Sequence, residues 1–244
     1  MAHPHPWTQR IARATIVAAL LVLVAGPLMA WGLLGWQAGL GMFAMGAILG
    51  GAGGLFSLWG MITRRGNRMV AIAALTGIAA FASAAGVVSS GAGKPPINDI
   101  TTDLSDPPTF KAITAEDRGV GAAPLAYDPG FASQQLAGYP DLKSLDVAEA
   151  PADAFKRALA AGRRLGWDFA GGAAPAYTGD GSGQFEATAT VPWWGFKDDV
   201  VIRLTPAGTG SRIDVRSKSR VGRGDLGVNA KRIEAFFAAY QAQR

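Results

Sequence analysis

Residues Ala14–Thr63 read ATIVAALLVLVAGPLMAWGLLGWQAGLGMFAMGAILGGAGGLFSLWGMIT, fifty consecutive positions without an ionisable side chain. A helix needs about 20 apolar residues to cross a bilayer. This run is too long for one crossing and suits two joined by a tight turn. Gly35-Trp36-Gln37-Ala38-Gly39 supplies the turn signal, and Trp31 and Trp36 stand where interfacial aromatic rings are favoured. The spans are expected at about Ala14–Leu34 and Gly39–Met61. Thr63-Arg64-Arg65-Gly66-Asn67-Arg68 then interrupts the run. One Arg at the bilayer centre costs about 2.5–3.5 kcal/mol on insertion scales, so three together make a loop. Met69–Gly93 is uncharged again and forms a third span. A buried soluble core is the competing reading, but such long charge-free runs are unusual in soluble domains. A cleaved signal peptide is another alternative for the first span, with Arg10 and Arg13 as its basic region. The apolar run continues directly into span two, which favours an uncleaved first span.

The charges are divided unevenly along the 244 residues. Up to Gly93 they are Arg10, Arg13, Arg64, Arg65 and Arg68, and the first acidic residue is Asp99. The net charge of +5 therefore belongs to the amino-terminal part, and the remainder is balanced. This is no nucleic-acid footprint, which requires a basic patch on a folded domain. The arginines flank span one and separate spans two and three, whereas the first turn is uncharged. The positive-inside rule then sets the amino terminus and the second loop in the cytoplasm. Three crossings carry everything after Gly93 to the other side, the periplasm if the membrane is a Gram-negative inner membrane. The expected organisation is a cytoplasmic tail 1–13, spans over 14–93, an extended Pro-rich segment 94–150 and an α+β domain 151–244.

Within span two, Gly46, Gly50 and Gly54 repeat every four residues, a spacing that lets helices approach closely. Packing among the chain's own helices explains it most simply; homo-oligomerisation or docking on another membrane protein is the functional reading. Pro27 is expected to kink span one. No ionisable residue lies inside a span, which argues against an ion pathway or transporter.

Beyond the membrane region, Lys94–Pro151 is rich in Pro and poor in apolar periodicity. Pro151–Leu165 reads as an amphipathic helix with Pro at its first position. Gln184–Trp193, Asp199–Thr205 and Arg212–Arg220 alternate apolar and polar residues as strands do. Trp167–Tyr177 is a weaker strand, Gly208-Thr209-Gly210 a hairpin turn, and Asn229 the expected N-cap of a last helix. The fold class is therefore three transmembrane helices plus an α+β domain, an antiparallel sheet with helices on one face.

Pro96-Ile97-Asn98-Asp99-Ile100-Thr101-Thr102-Asp103-Leu104, with Pro107-Pro108, and Asp214–Gly227 with Asn229 carry a resemblance. The chain from about 95 to 240 resembles a bacterial and plastid family catalogued only as domain of unknown function fourteen-ninety-nine. The resemblance implies an envelope-associated domain, often preceded by membrane spans, and no known activity.

Alternation puts Glu186, Thr188, Arg203, Asp214, Arg216 and Lys218 on the outward sheet face, with Arg220 and Arg223 beyond the strand end. Guanidinium forks match phosphate and carboxylate. The candidate ligand-binding set is Asn98, Asp99, Asp103, Arg203, Arg216, Arg220, Asp225 and Asn229, for an anionic envelope ligand. The structural alternatives are a solvated face with cross-strand ion pairs, or the Asp99, Asp103 and Asp106 cluster folding onto it. Trp193, Trp194 and Phe196 form an aromatic hairpin tip that is either core or a membrane-surface or partner contact. Gly222, Gly224 and Gly227 mimic a nucleotide loop but lack a βαβ setting. With no Cys, and with His3 and His5 both in the extreme amino terminus, no Ser-His-Asp or Cys-His machine can be built in the body. His3 and His5 are a weak metal candidate; no metal and no cofactor is expected. Two functions stand: a membrane-anchored binding or assembly module in contact with the bilayer, and a carboxylate-dependent envelope hydrolase or transferase using Asp99 and Asp225 near Arg216.

Overall fold

The computed structural model describes residues 6–63, 65–173, 176–177 and 181–242; His3, His5 and Arg64 lie outside them. The chain divides into two compact units, Met1–Ser90 with Pro192–Gly195, and Gly91–Val191 with Phe196–Arg244.

The first unit holds α1 (Pro6–Ala30), α2 (Trp36–Ile62) and α3 (Arg68–Ser90), each long and apolar enough to cross a membrane. α1 begins at Pro6, so Arg10 and Arg13 lie in its opening turns instead of in a tail. The turn is Trp31–Gly35, not Gly35–Gly39. Gly32 takes φ +72, Leu33 and Leu34 donate to the Leu28 carbonyl, and the Gly39 amide already donates within α2. A left-handed residue closes α1 sooner than the Gly35/Gly39 pair could.

Side-chain size sorts inside out in this unit. Ala12, Ala25, Ala47, Ala73, Gly46, Gly50 and Gly54 are buried, whereas Leu23, Leu49, Leu55, Leu75 and Phe81 are exposed. Small residues inside and large apolar ones outside suit helices that pack in lipid, where burying apolar surface brings no gain over leaving it in the bilayer. The glycine stripe is filled by the unit's own helices. A Cβ on Gly46 would lie 2.7 Å from the Ala18 carbonyl oxygen, and one on Gly54 would lie 2.9 Å from the Ile78 nitrogen. A partner helix docking on that stripe would have to replace α1 or α3.

The second unit is an α+β domain. Its strands are β1 (Asp99–Thr101), β2 (Leu145–Val147), β3 (Asp168–Phe169), β4 (Ala176–Tyr177), β5 (Gly183–Thr190), β6 (Lys197–Ala207) and β7 (Gly210–Ser219). They form one antiparallel sheet ordered β1-β7-β6-β5-β3, with β2 also on β7 and β4 also on β5. Gly208, at φ +57, makes the two-residue β6–β7 turn. The weak strand expected over Trp167–Tyr177 is broken into β3, a 3-10 turn Ala170–Ala173 and β4. Helices α6 (Pro151–Arg164) and α7 (Val228–Gln241) cover one face. Between them and the sheet sit Phe155, Phe185, Ile202, Leu204, Ile213, Val215, Ile233 and Phe236. α6 has Pro at its start, where its fixed φ suits the first turn, and Asp153 in its first turn and Arg163 and Arg164 in its last match the helix dipole.

The Pro-rich segment is more structured than its sequence suggests. It supplies β1, α4 (Ala115–Arg118), α5 (Phe131–Gly138) and β2. Asp99 pairs with Lys218, and Leu145 with Ile213, so both its ends are strands on β7. Short strands escape detection because two or three residues show no periodicity.

Gly54→Leu is expected to lower the melting temperature of the chain in detergent, because the added side chain meets α3 backbone. Gly41→Leu, where a Cβ meets nothing within 4 Å, should leave it unchanged.

Candidate functional site

On the sheet face turned away from α6 and α7, strand pairing arranges polar residues in rows. Thr188, Asp199, Lys218 and Asp99 form one row, and Glu186, Val201, Arg216 and Thr101 the next. Gln184, Arg203 and Asp214 form a third. Of the two structural alternatives the sequence left for this face, solvated or covered by the Asp99, Asp103 and Asp106 cluster, the second forms. Glu186, Asp199, Asp214, Arg216 and Lys218 are buried, because residues 102–128 of the Pro-rich segment cross this face as a strap.

Arg216 is the centre of that contact. Its Nε and Nη2 each donate to Asp99 at 2.8 Å, a bidentate pair with both side chains about fully buried. Nη1 donates to the Pro108 carbonyl at 3.1 Å and Nη2 to that of Leu125 at 2.8 Å. The Phe110 and Tyr127 rings lie 5.2 and 5.3 Å from Cζ, so the strap also contributes cation–π contacts. Lys218 Nζ donates to Asp99 at 2.6 Å and to the Ala126 carbonyl at 3.3 Å. Burial pushes the Lys218 ammonium below its ordinary value, and the Asp99 carboxylate opposes that shift.

Three further anchors hold the strap. Glu186 accepts from the amides of Lys111, Ala112 and Ile113, at 2.6 Å for Lys111 and 2.7 Å for Ile113. Asp199 accepts from Arg118 Nε and Arg220 Nη2 at 2.8 Å and from the Thr188 hydroxyl at 2.9 Å. Arg118 Nη1 also donates to the Ala123 carbonyl and Nη2 to that of Ser219. Arg203 gathers Asp103, Asp106 and Asp214 at 3.1, 2.7 and 3.0 Å. Burial acts to raise the Asp103 carboxyl. The Ser105 hydroxyl, the Asp106 and Ser105 amides and Arg203 outweigh it and hold it below the ordinary 3.8.

Asn98, Asp225 and Asn229 belong to a separate network. Asn98 Nδ2 donates to the Gly222 carbonyl at 2.6 Å, and the Asn98 carbonyl accepts from the Ser219 amide and Asn229 Nδ2. Asn229 Oδ1 accepts from the Ser217 hydroxyl and Arg232, which also reaches Asp198 at 2.5 Å. Asn229 is not the N-cap of α7. Asp225 accepts from the Gly227 and Asn229 amides at 2.8 Å each and does the capping. That leaves the Asn229 side chain free to join α7 to β7. Burial raises the Asp225 carboxyl, against those same amide bonds. The Gly222, Gly224 and Gly227 loop is structural: Gly222 and Gly227 adopt φ +88 and +82, and Gly224 lies against Pro96.

Sequence reasoning missed Arg118, Asp198, Asp199 and Arg232. The charged pair Asp198-Asp199, astride both faces of one strand, was the available signal. Trp193 and Trp194 lie edge-to-face at 4.5 Å and group with the first unit, where Trp194 meets Phe43 at 4.9 Å. Phe196 belongs to the second unit and is half-buried. Clefts of about 630 Å³ beside Arg203 and about 340 Å³ beside Arg220 flank the strap, and neither is lined by Asp99 or Asp225. Among the described residues no three His, Asp or Glu are placed to hold a metal ion.

A family model described as Protein of unknown function (DUF1499) matches residues 99–240. The chain belongs to this family. No curated protein and no solved structure matches. The DUF1499 region starts at Asp99, inside β1, and ends at Tyr240, in α7. Its two sequence-distinctive ends meet in space through the Asp99–Arg216 and Asn98–Asn229 contacts.

Asp99→Ala is expected to destabilise the domain by roughly 3–5 kcal/mol, since it strands a buried guanidinium. Asp153→Ala, which breaks an exposed pair with Lys156, should change stability by under about 1 kcal/mol. Denaturant titration of the two chains checks this. Because the folded value of Asp103 lies below that of the unfolded chain, its contribution is complete above pH 3.8 and drains away as pH falls through the folded value. Asp103→Asn should therefore flatten the acid limb of the stability–pH curve.

Proposed function

We propose that this DUF1499 protein is a bacterial inner-membrane module that binds or assembles an envelope component or partner protein, its α+β domain in the periplasm. Among the described residues, three helices long and apolar enough to cross a membrane precede the domain, and as spans they would make an odd number of crossings. Arg10 and Arg13 lie in the first, Arg65 lies between the second and third, and Arg68 opens the third, while the Trp31–Gly35 turn is uncharged. This asymmetry supports a cytoplasmic amino terminus with the domain on the opposite side of the membrane. The outward Leu and Phe side chains suit the bilayer.

The observation that carries the binding reading is the engagement of Asp99 and Asp225. Asp99 is taken up by Arg216 and Lys218, and Asp225 by two amides of α7. Paired-carboxylate chemistry needs an acid and a base facing a shared cleft. Surface clefts beside the strap instead offer polar side chains to a ligand.

Alkaline phosphatase fused after Ala242 should be active in cells, and the same fusion at Arg65 inactive. Crosslinking in intact cells followed by isolation of the tagged chain should recover an envelope component in stoichiometric amount. Turnover of an envelope substrate by the purified chain, lost in Asp225→Asn with folding intact, would overturn the binding reading in favour of a hydrolase or transferase.

A further inference from the structure

The strap leaves one end of the polar sheet face uncovered, where β3, β5 and β6 run side by side. Pairing there sets Asp168 beside Thr188 and Thr190 beside Lys197. Asp168 and Lys197 are exposed, and among the described residues their side chains form no hydrogen bond or ion pair. On this sheet face they contrast with Asp99, Glu186, Asp199, Arg203, Asp214, Arg216 and Lys218, each held by a partner. Above them lies the cleft of about 340 Å³, with Asp117 and Arg220 also on its wall. That volume is within the range of small-ligand sites.

Among the described residues the charges lining this cleft balance, two cations (Lys197 and Arg220) against two carboxylates (Asp117 and Asp168). Arg220 is already occupied, donating to the Asp117 carbonyl at 2.7 Å, to Asp199 and to Thr188. The Thr188 hydroxyl is likewise spent between Asp199 and Arg220. What remains for a ligand is an acceptor, Asp168, a donor, Lys197, and the Thr190 hydroxyl, which does both. A balanced wall gives a formally charged ligand no net attraction. Alternating acceptor and donor suits hydroxyl groups, each of which donates and accepts. The larger cleft of about 630 Å³ shares Ala112, Ala170 and Gly171 with this one, so the two adjoin.

We propose that this cleft binds an uncharged, hydroxyl-rich glycan chain, with Asp168 accepting from sugar hydroxyls and Lys197 and Thr190 donating to sugar oxygens. This deepens the binding reading above by naming a ligand class. The test uses the full chain in a detergent without a sugar headgroup, titrated calorimetrically with an uncharged N-acetylglucosamine tetramer, a galacturonate tetramer and inorganic phosphate. The uncharged tetramer should bind. Asp168→Asn and Lys197→Ala, both at exposed positions, should each weaken it at least about fivefold while leaving the melting temperature unchanged. Lys156→Ala on α6 should have no effect. Absence of binding, tighter binding of galacturonate or phosphate, or unaltered affinity in both variants overturns the proposal. Because the purified chain and defined sugars are used, such a failure leaves the crosslinking result in cells standing.

Discussion

A guanidinium taken out of water must keep its donors occupied, and Arg216 sets that requirement at the centre of the sheet. It sits in the middle of the three rows, on a face that an antiparallel sheet would ordinarily leave wet. Asp99 neutralises it, and two strap carbonyls and two aromatic rings complete its surroundings. Each of these partners comes from residues 99–127, so the position of β1 and the course of the strap both follow from one buried cation. Glu186 repeats the logic with opposite sign, a buried carboxylate answered by three consecutive strap amides.

Buried ion pairs contribute little net stability compared with apolar residues of the same size, because desolvation offsets the attraction. Their effect here is on register. A strap rich in proline and poor in apolar residues has no hydrophobic face to fix its path. Charges that are costly when unpaired fix it instead, since any slip strands Arg216, Glu186 or Asp199. The apolar core under α6 and α7 holds the domain together, and the polar face decides where the long connection lies.

The helical unit obeys a different solvent. Its interior is glycine and alanine and its exterior leucine and phenylalanine, because backbone proximity, not burial of large side chains, holds helices together in lipid. The same chain therefore carries two packing rules, small-inside in one unit and large-inside in the other.

Sequence by itself determined the three apolar helices, the antiparallel strands β5 to β7 and the two covering helices. Those features are periodic or uniform over eight residues or more, and a local pattern suffices to read them. It also marked Asp99, Arg216, Asn98 and Asn229 as belonging to the distinctive ends of the domain. Tertiary structure alone decided what they do. Alternation assigns Arg216 to a face but cannot say whether water or a strap lies on it, and the Asp99 that pairs with it stands 117 positions away. The same ignorance made Asn229 look like a helix cap, until Asp225 was found to reach those amides first. Strands of two or three residues, and pairings across such distances, have no local signature; they exist because buried charge must be answered from somewhere.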